Sequence, residues 1–321
     1  MKDLSIIIVN WNTRDLLRQC LKSLYENLTG LSYGIFVVDN GSTDDSPAMV
    51  KDEFPTVKLI PNRSNLGFAR ANNLAIRAAE GRFFLLLNSD TLVKKGAVEG
   101  LVETIEADSS IGIAGLQLLN ADGSLQNSIC SFPSLLTELT NKSLLRLLLP
   151  SKYPGKEHQI RGPIEVDAII GSCMLVRREA TEQIGLLDED FFFFFEETDW
   201  CLRMHKAGWK VVFDPRYSIF HLQGKSAAVV NARARIEYWR SRYAYFAKHF
   251  SRISQHILKT GLLLRLLISI AAVGVKCMST LFRAATPLEK LKVYIAILDW
   301  HMKGCPADGG LERHNIEETH S

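Results

Sequence analysis

Asn88, Ser89 and Asp90 follow directly on the apolar run Phe83-Phe84-Leu85-Leu86-Leu87. Such a run reads as a buried strand. A carboxylate that ends it stands at a sheet edge, where open α/β folds bind ligands. Hard oxygen ligands there suit Mg²⁺ or Mn²⁺ bridging the phosphates of a nucleotide. The competing reading is a helix N-cap, with Ser89 or Asp90 capping a helix from Thr91. Two more apolar runs end in polar residues. Residues 4–9 lead into Asn10-Trp11-Asn12, and residues 35–38 lead into Asp39-Asn40-Gly41-Ser42. A parallel sheet sets all three ends on one rim. There Trp11 offers a flat face for a nucleobase, and Asp39 an acceptor for a base imide N–H or a ribose hydroxyl. A core-packed Trp11 and a turn-forming Asp39 are the plain alternatives.

The chain has no GxxxxGK[ST] loop and no GxGxxG after its first strand, so a bound diphosphate needs a metal to balance it. Asn65-Leu66-Gly67 opens a helix, with Gly67 placed for a close backbone approach and Asn73 two turns inside; an Asn cap and a Gly turn would look the same. A second acidic group, Glu196-Glu197-Thr198-Asp199, follows five consecutive phenylalanines, Phe191 to Phe195. A strand buried on one face has no need of five in a row, so some should line a pocket or a partner surface. Carboxylates beside aromatic walls are desolvated and their pKa rises, which suits a general base. Glu196 and Asp199 share a helix face, and Glu197 points about a quarter turn away. Acids at a helix N-terminus also answer the macrodipole, and Asp199 is spaced to pair with Arg203. His221 is a further candidate metal ligand, although a lone histidine is more often structural. Lys225 could meet a phosphate.

The elements that must position these groups alternate. Strands are expected at 4–9, 35–38, 57–60, 83–87, 111–119, 164–170 and 210–213. Helices are expected at 14–28, 46–54, 66–79, 97–106 and 196–207. This β-α-β-α order predicts a doubly wound α/β sheet. Residues 150–163 read as a flexible loop. The 321 residues, 47% hydrophobic and 23% charged, can bury a sizeable core, and a net charge of +3 selects no partner class. Six scattered cysteines without a CxxC pair read as reduced thiols of a cytosolic protein. The N-terminus carries no signal-peptide pattern.

Beyond His221 the pattern turns helical and basic. From Lys225 to Arg283 the one acid is Glu237. The apolar stretch 261–275 is short for a span and is interrupted by Arg265. It is expected to lie in a membrane interface, with its basic residues drawn to anionic headgroups, and residues 134–149 are a second candidate docking segment. Packing on the catalytic domain is the alternative. Residues 305–321 are expected to be a disordered tail.

Taken in order, Val9-Asn10-Trp11-Asn12, Val38-Asp39-Asn40-Gly41-Ser42-Thr43-Asp44, Asn65-Leu66-Gly67-Phe68-Ala69 and Leu87-Asn88-Ser89-Asp90 resemble family 2 inverting glycosyltransferases, in the rhamnosyltransferase-like branch of bacterial cell-surface polysaccharide assembly. The resemblance continues through Gly171-Ser172-Cys173-Met174, Glu196-Glu197-Thr198-Asp199-Trp200 and His221-Leu222-Gln223-Gly224. It implies a GT-A catalytic domain over 1–225, a helical extension over 226–304 and a tail over 305–321. It implies that Asp39 contacts the nucleoside, with Asn10, Trp11, Asn65, Gly67, Asn73, Ser89 and Gly171 in the donor-binding set. It implies Asp90 as the last position of the DxD motif, binding Mg²⁺ or Mn²⁺ and the diphosphate, with His221 near the same metal. The family's base falls on Glu197. Asn88 replaces the first DxD acid and Glu197 the usual aspartate, which keeps Asp199 and Glu196 as alternatives. The expected reaction moves a sugar from a dTDP-rhamnose or UDP-sugar donor to a hydroxyl of a glycan or lipid-linked glycan, at the inner face of the cell membrane. Rival readings are a sugar nucleotidyltransferase, which would carry a Gly-rich loop after the first strand, and a non-catalytic nucleotide-sugar-binding protein. Nucleic acid is not an expected partner, because the basic segment is too apolar to track phosphates.

Overall fold

The structure is a computed structural model that describes residues 3–141, 143, 145, 147, 160–222, 232–281 and 284–311. It opens with β1 (Leu4–Asn10), α1 (Arg14–Asn27), β2 (Tyr33–Asp39), α2 (Ser46–Glu53), β3 (Lys58–Pro61), α3 (Phe68–Ala78) and β4 (Phe83–Asn88). Then come β5 (Thr91–Leu92), α4 (Ala97–Glu106), β6 (Ile111–Leu119), β7 (Ile129–Cys130) and α5 (Leu135–Leu139). After these follow β8 (Ile164–Glu165), β9 (Ala168–Ile169), β10 (Cys173–Arg177), α6 (Arg178–Ile184), α7 (Glu196–Lys206) and β11 (Lys210–His221). Three long helices finish the chain, α8 (Ala232–His249), α9 (Arg252–Ser279) and α10 (Ala285–Met302).

The main sheet has the order β3-β2-β1-β4-β10-β6-β11-β5, with β8 added beside β11. Strands β3, β2, β1 and β4 run parallel. Strand β10 is antiparallel to both β4 and β6. Each central strand is buried on both faces, which is why its sequence is apolar throughout. Leu4, Ile6 and Ile8 of β1 face a core with Leu17, Leu21 and Leu24 of α1. Ile7 faces the opposite core, with Ala71 and Ala75 of α3 and Trp200 of α7. Helices therefore cover both faces, as the β-α alternation predicts.

Several expectations need correction. The single strand expected at 164–170 is broken at Val166 and Asp167, and its halves pair with different strands, β11 and β7. The short strand expected at 210–213 runs on to His221, past an irregularity between Asp214 and Ser218. The phenylalanine run forms a turn: Phe194 and Phe195 have φ of 73° and 70°, a conformation that bulky residues rarely adopt. Residues 305–311 are ordered. Trp300 Nε1 donates to the Pro306 carbonyl at 3.0 Å, and Arg240 Nη1 to that of Ala307 at 2.6 Å. Most of the loop expected at 150–163, together with Lys225 and residues 312–321, lies outside the described residues.

The C-terminal helices pack on the phenylalanine turn. Phe191 and Phe195 share a core with Tyr245, Phe246, Leu258 and Leu262. Each such buried aromatic or leucine stabilises the packing by about 1.5–3 kcal/mol. Helix α9 has one face packed on the rest of the protein and one exposed apolar face. Leu258, Leu262 and Leu266 form a buried stripe at four-residue spacing, while Leu264, Leu267, Ile268 and Val275 are exposed. Its 28 residues make it, among the described residues, the one helix long and apolar enough to cross a membrane, longer than the apolar stretch 261–275 suggests.

Candidate active site

The ends of β1, β2 and β4 meet at one rim. Asn10 Nδ2 donates to Asp39 Oδ1 at 2.9 Å, and the Ser42 amide donates to Asp39 Oδ2 at 2.9 Å. Asp39 is therefore buried and closes the Asp39-to-Ser42 turn, and each oxygen keeps a second lone pair for a ligand. Thr13 Oγ1 donates to Asn10 Oδ1 at 2.7 Å and lies 2.8 Å from Ser89 Oγ. This bridge ties the loop after β1 to the residue beside Asp90. Trp11 is 47% exposed on this rim, which excludes the core-packed reading.

Asp90 meets His221 across the sheet. Strand β11 pairs antiparallel with β5, placing His221 opposite Thr91. His221 Nε2 lies 3.3 Å from Asp90 Oδ1, with both side chains mostly buried. Gln126 fixes the ring. Its Nε2 donates to the His221 carbonyl at 2.6 Å, which leaves its Oε1 to accept from His221 Nδ1 at 2.9 Å. The Nδ1–H tautomer leaves a lone pair on Nε2, directed at the same space as the Asp90 carboxylate. An imidazole lone pair and a carboxylate oxygen this close repel unless a cation or a proton lies between them. A metal-ligating histidine usually donates its other ring N–H to an outer acceptor, the place that Gln126 Oε1 takes here. Among the described residues no cluster of three or more His, Cys, Asp or Glu could hold a metal. Two protein ligands suit Mg²⁺ or Mn²⁺, which take their remaining oxygens from phosphates and water, so the residues fit that group. Asn88 makes no charge contribution: its Nδ2 donates to Ser172 Oγ at 3.3 Å.

Ser172 connects this pair to the acidic cluster. Its hydroxyl lies 3.3 Å from His221 Nε2. A Cβ at the adjoining Gly171 would sit 3.6 Å from Glu197 Cβ and 3.7 Å from Glu197 Cγ. The acid at the start of α7 thus backs directly onto the loop that contacts His221.

The three candidate bases separate. Glu197 is partly exposed beside Gly171, and desolvation by its surroundings raises its pKa. Glu196 is buried at 4% exposure, and its Oε2 has no hydrogen-bond partner among the described residues. Burial first, and the Glu197 charge second, push its pKa well up. Asp199 is fully buried and faces α8: Arg203, Lys248 and His249 hold it at 2.8, 2.8 and 2.7 Å. Its i,i+4 partner is the Arg203 that the spacing indicates, and both its oxygens are engaged, Oδ2 by Arg203 and Oδ1 by Lys248 and His249.

Three more expected donor-site residues make contacts within the fold. Gly67 (φ +82°) makes room for a close approach, but by protein: a Cβ there would lie 2.4 Å from the Phe192 carbonyl. Asn73 is buried and donates to the Leu187 carbonyl and Glu189 Oε1 at 2.8 and 2.9 Å. Asn65 accepts from the Asn40 side chain at 3.1 Å and the Gly67 amide at 2.9 Å, bracing the end of β2. Sequence reasoning missed Thr13, Gln126 and Ser172 as parts of the site. Gln126 lies in an irregular segment with no periodicity, and only the pairing of β11 brings it to His221.

The sequence profile of Glycosyl transferase family 2 matches residues 5–185, more than half of the chain. The chain belongs to that family. It is similar to the N-acetylglucosaminyl-diphospho-decaprenol L-rhamnosyltransferase of Mycobacterium tuberculosis, with 28% identity over 262 residues covering 77% of this chain and 85% of the relative. It is also similar to the low-salt glycan biosynthesis hexosyltransferase Agl10 of Haloferax volcanii, 31% identical over 212 residues, covering 64% of this chain and 62% of that one. Among solved structures, mannosyltransferase PcManGT from Pyrobaculum calidifontis, in complex with GDP-Man and Mn²⁺, superposes with a TM-score of 0.56 at 15% identity, covering 94% of this chain and 86% of that one. GalNAc-T7 with UDP, GalNAc and Mn²⁺ gives 0.54 at 17% identity, covering 75% and 47%. The fold is the GT-A fold, and the family 2 glycosyltransferase is of the rhamnosyltransferase-like type.

Proposed function

We propose that this glycosyltransferase moves a sugar, with inversion, from a nucleotide-diphosphate donor to a hydroxyl of a lipid-linked glycan in cell-surface polysaccharide synthesis. The observation that carries the reading is the 3.3 Å approach of His221 Nε2 to Asp90 Oδ1, joined through Ser172 and Gly171 to Glu197. The nucleoside lies against Trp11 and the Asn10–Asp39 pair. Asp90 and His221 hold Mg²⁺ or Mn²⁺, which when bound supplies Lewis-acid stabilisation of the diphosphate. The Glu197 carboxylate, its pKa raised by desolvation, takes the proton of the acceptor hydroxyl. That oxygen attacks the anomeric carbon, the bond to the diphosphate oxygen breaks, and the nucleoside diphosphate leaves with the electron pair. One displacement inverts the centre.

The donors that fit are dTDP-rhamnose and UDP-sugars, and the acceptor class follows the name of the mycobacterial relative. In this reading residues 1–225 are the catalytic domain. Residues 226–304 hold the enzyme at the cytoplasmic face of the membrane, where the exposed stripe of α9 and the basic residues of the extension meet anionic lipid. The test is transfer by the full chain from each donor to an N-acetylglucosaminyl-diphospho-polyprenol, with Mn²⁺ or EDTA, and NMR of the new linkage. Inverted product with metal, and none with EDTA, is expected. Retention of configuration, or equal transfer in EDTA, would reject the mechanism.

A further inference from the structure

A second polar cleft, separate from the rim, opens between α5, α8, α9 and α10, with a volume of about 480 Å³. Arg242 and Arg265 line it together with Tyr238, Trp239 and Glu138. Arg242 is only 7% exposed, and its Nε–H has no hydrogen-bond partner among the described residues. Its guanidinium lies over the Tyr238 and Trp239 rings, 4.9 and 5.1 Å from their centroids. Glu138 Oε2 is its ion-pair partner at 3.3 Å. Arg265 reaches the same residue through its backbone, donating to the Glu138 carbonyl at 3.3 Å. One guanidinium, that of Arg242, therefore meets the Glu138 carboxylate, and the other, that of Arg265, the Glu138 carbonyl. A buried donor without an acceptor is costly, and a guanidinium resting over two aromatic rings keeps the planar fork that suits phosphate.

An exposed apolar stripe runs along α9 beside the cleft. Leu264 and Ile268, next to Arg265 on the helix surface, and Leu267 further round are 59, 61 and 49% exposed, and Leu136 of α5, beside the cleft residue Thr137, is 47% exposed. The inner wall leads toward the acidic cluster: the Tyr238 ring packs on Phe194 and Phe195 at 5.4 and 5.3 Å, directly before Glu196 and Glu197. An anion site with an apolar ramp outside and the proposed base beyond its wall matches an amphiphile of one kind.

We infer that this cleft binds the phosphate of the lipid-linked acceptor, with Arg242 and Arg265 on the phosphate oxygens and the lipid chain lying along the exposed face of α9. The inference rests on the acceptor class proposed above. Glu138 occupies part of the anion position and must yield to the phosphate, so it weakens binding in the resting protein.

Isothermal titration of the full chain with farnesyl diphosphate in EDTA, with and without excess UDP, tests this. Saturable binding unaffected by UDP is expected. Arg265→Glu, at an exposed position, should weaken it by at least about tenfold. Glu138→Gln should tighten it, which a merely structural ion pair would not do. Inorganic diphosphate should bind more weakly than the lipid form. Displacement by UDP, wild-type binding in both variants, or equal affinity for inorganic diphosphate would overturn the assignment. Sugar transfer with Mn²⁺, assayed on the same wild-type samples, separates the two readings. Transfer without farnesyl diphosphate binding removes the cleft alone. Binding without transfer from any donor removes the proposed reaction and leaves a lipid-phosphate site.

Discussion

His221 Nε2 faces Asp90 Oδ1 at 3.3 Å while Gln126 holds the opposite ring nitrogen. The two residues come from distant parts of the chain and meet only because β11 pairs with β5. In the proposed reading of His221 as a metal ligand, Gln126 is its positioning residue. Gln126→Leu should lower Mn²⁺ affinity by roughly 10–100-fold, the usual effect of losing an outer partner of a histidine ligand. Binding measured by water-proton relaxation in the presence of UDP checks this. Unchanged affinity would mean that His221 holds no metal.

Glu197 should set the acid limb of the pH–rate profile. Desolvation raises its pKa above the ordinary glutamate value, and the base acts in its ionised form. Activity should therefore rise with pH through a midpoint above the ordinary glutamate range. Glu197→Gln should lose about 10²–10⁴-fold in kcat and keep the wild-type Tm. A profile of kcat against pH in both proteins is the measurement.

Asp199 should behave oppositely. Two cations, Arg203 and Lys248, and the His249 ring hold it at full burial. Removing a partner from such a cluster costs about 3–5 kcal/mol. Asp199→Ala should lower Tm and the denaturant midpoint sharply, and any residual folded fraction should turn over normally.

Glu196 links stability to pH. Its folded-state pKa is raised by burial and by the Glu197 charge. The stabilisation that goes with protonation is complete below the unfolded glutamate pKa and is lost as pH rises through the folded one. Glu196→Gln should therefore raise Tm at pH 8, with the gain shrinking to nothing near pH 4.

Gly67→Ala should destabilise the fold by about 1–3 kcal/mol, through an unfavourable φ and a clash with the Phe192 carbonyl. Donor affinity in the folded fraction should be unchanged, because protein and not ligand fills the space above Gly67.

The parallel half of the sheet was legible because its strands are buried on both faces and end abruptly in polar residues. Asn10, Asp39 and Asp90 could be placed on one rim from that alone. Strand β10 was not recognised, since nothing in Cys173–Arg177 tells an antiparallel insertion from a parallel strand. The extent of β11 was hidden by Pro215 and the irregularity after Asp214, although it carries His221 to its place. The phenylalanine run could be read as more than a one-faced strand needs, but the surface that its rings pack on, α8 and α9, was not legible from the run itself. The three acids of α7 could not be ranked by spacing. Only the position of α8 shows that Asp199 is enclosed by Lys248 and His249 while Glu197 backs onto Gly171.

The central claim is that the Asp90 carboxylate anchors the cation that makes the diphosphate a leaving group. The most direct test is single-turnover transfer by Asp90→Ala across a Mn²⁺ titration, with folding verified by Tm. The account predicts a loss of roughly 10³-fold, as expected for several kcal/mol of charge stabilisation, that no Mn²⁺ concentration restores. Turnover within a few-fold of wild type, with the wild-type metal dependence, would contradict it.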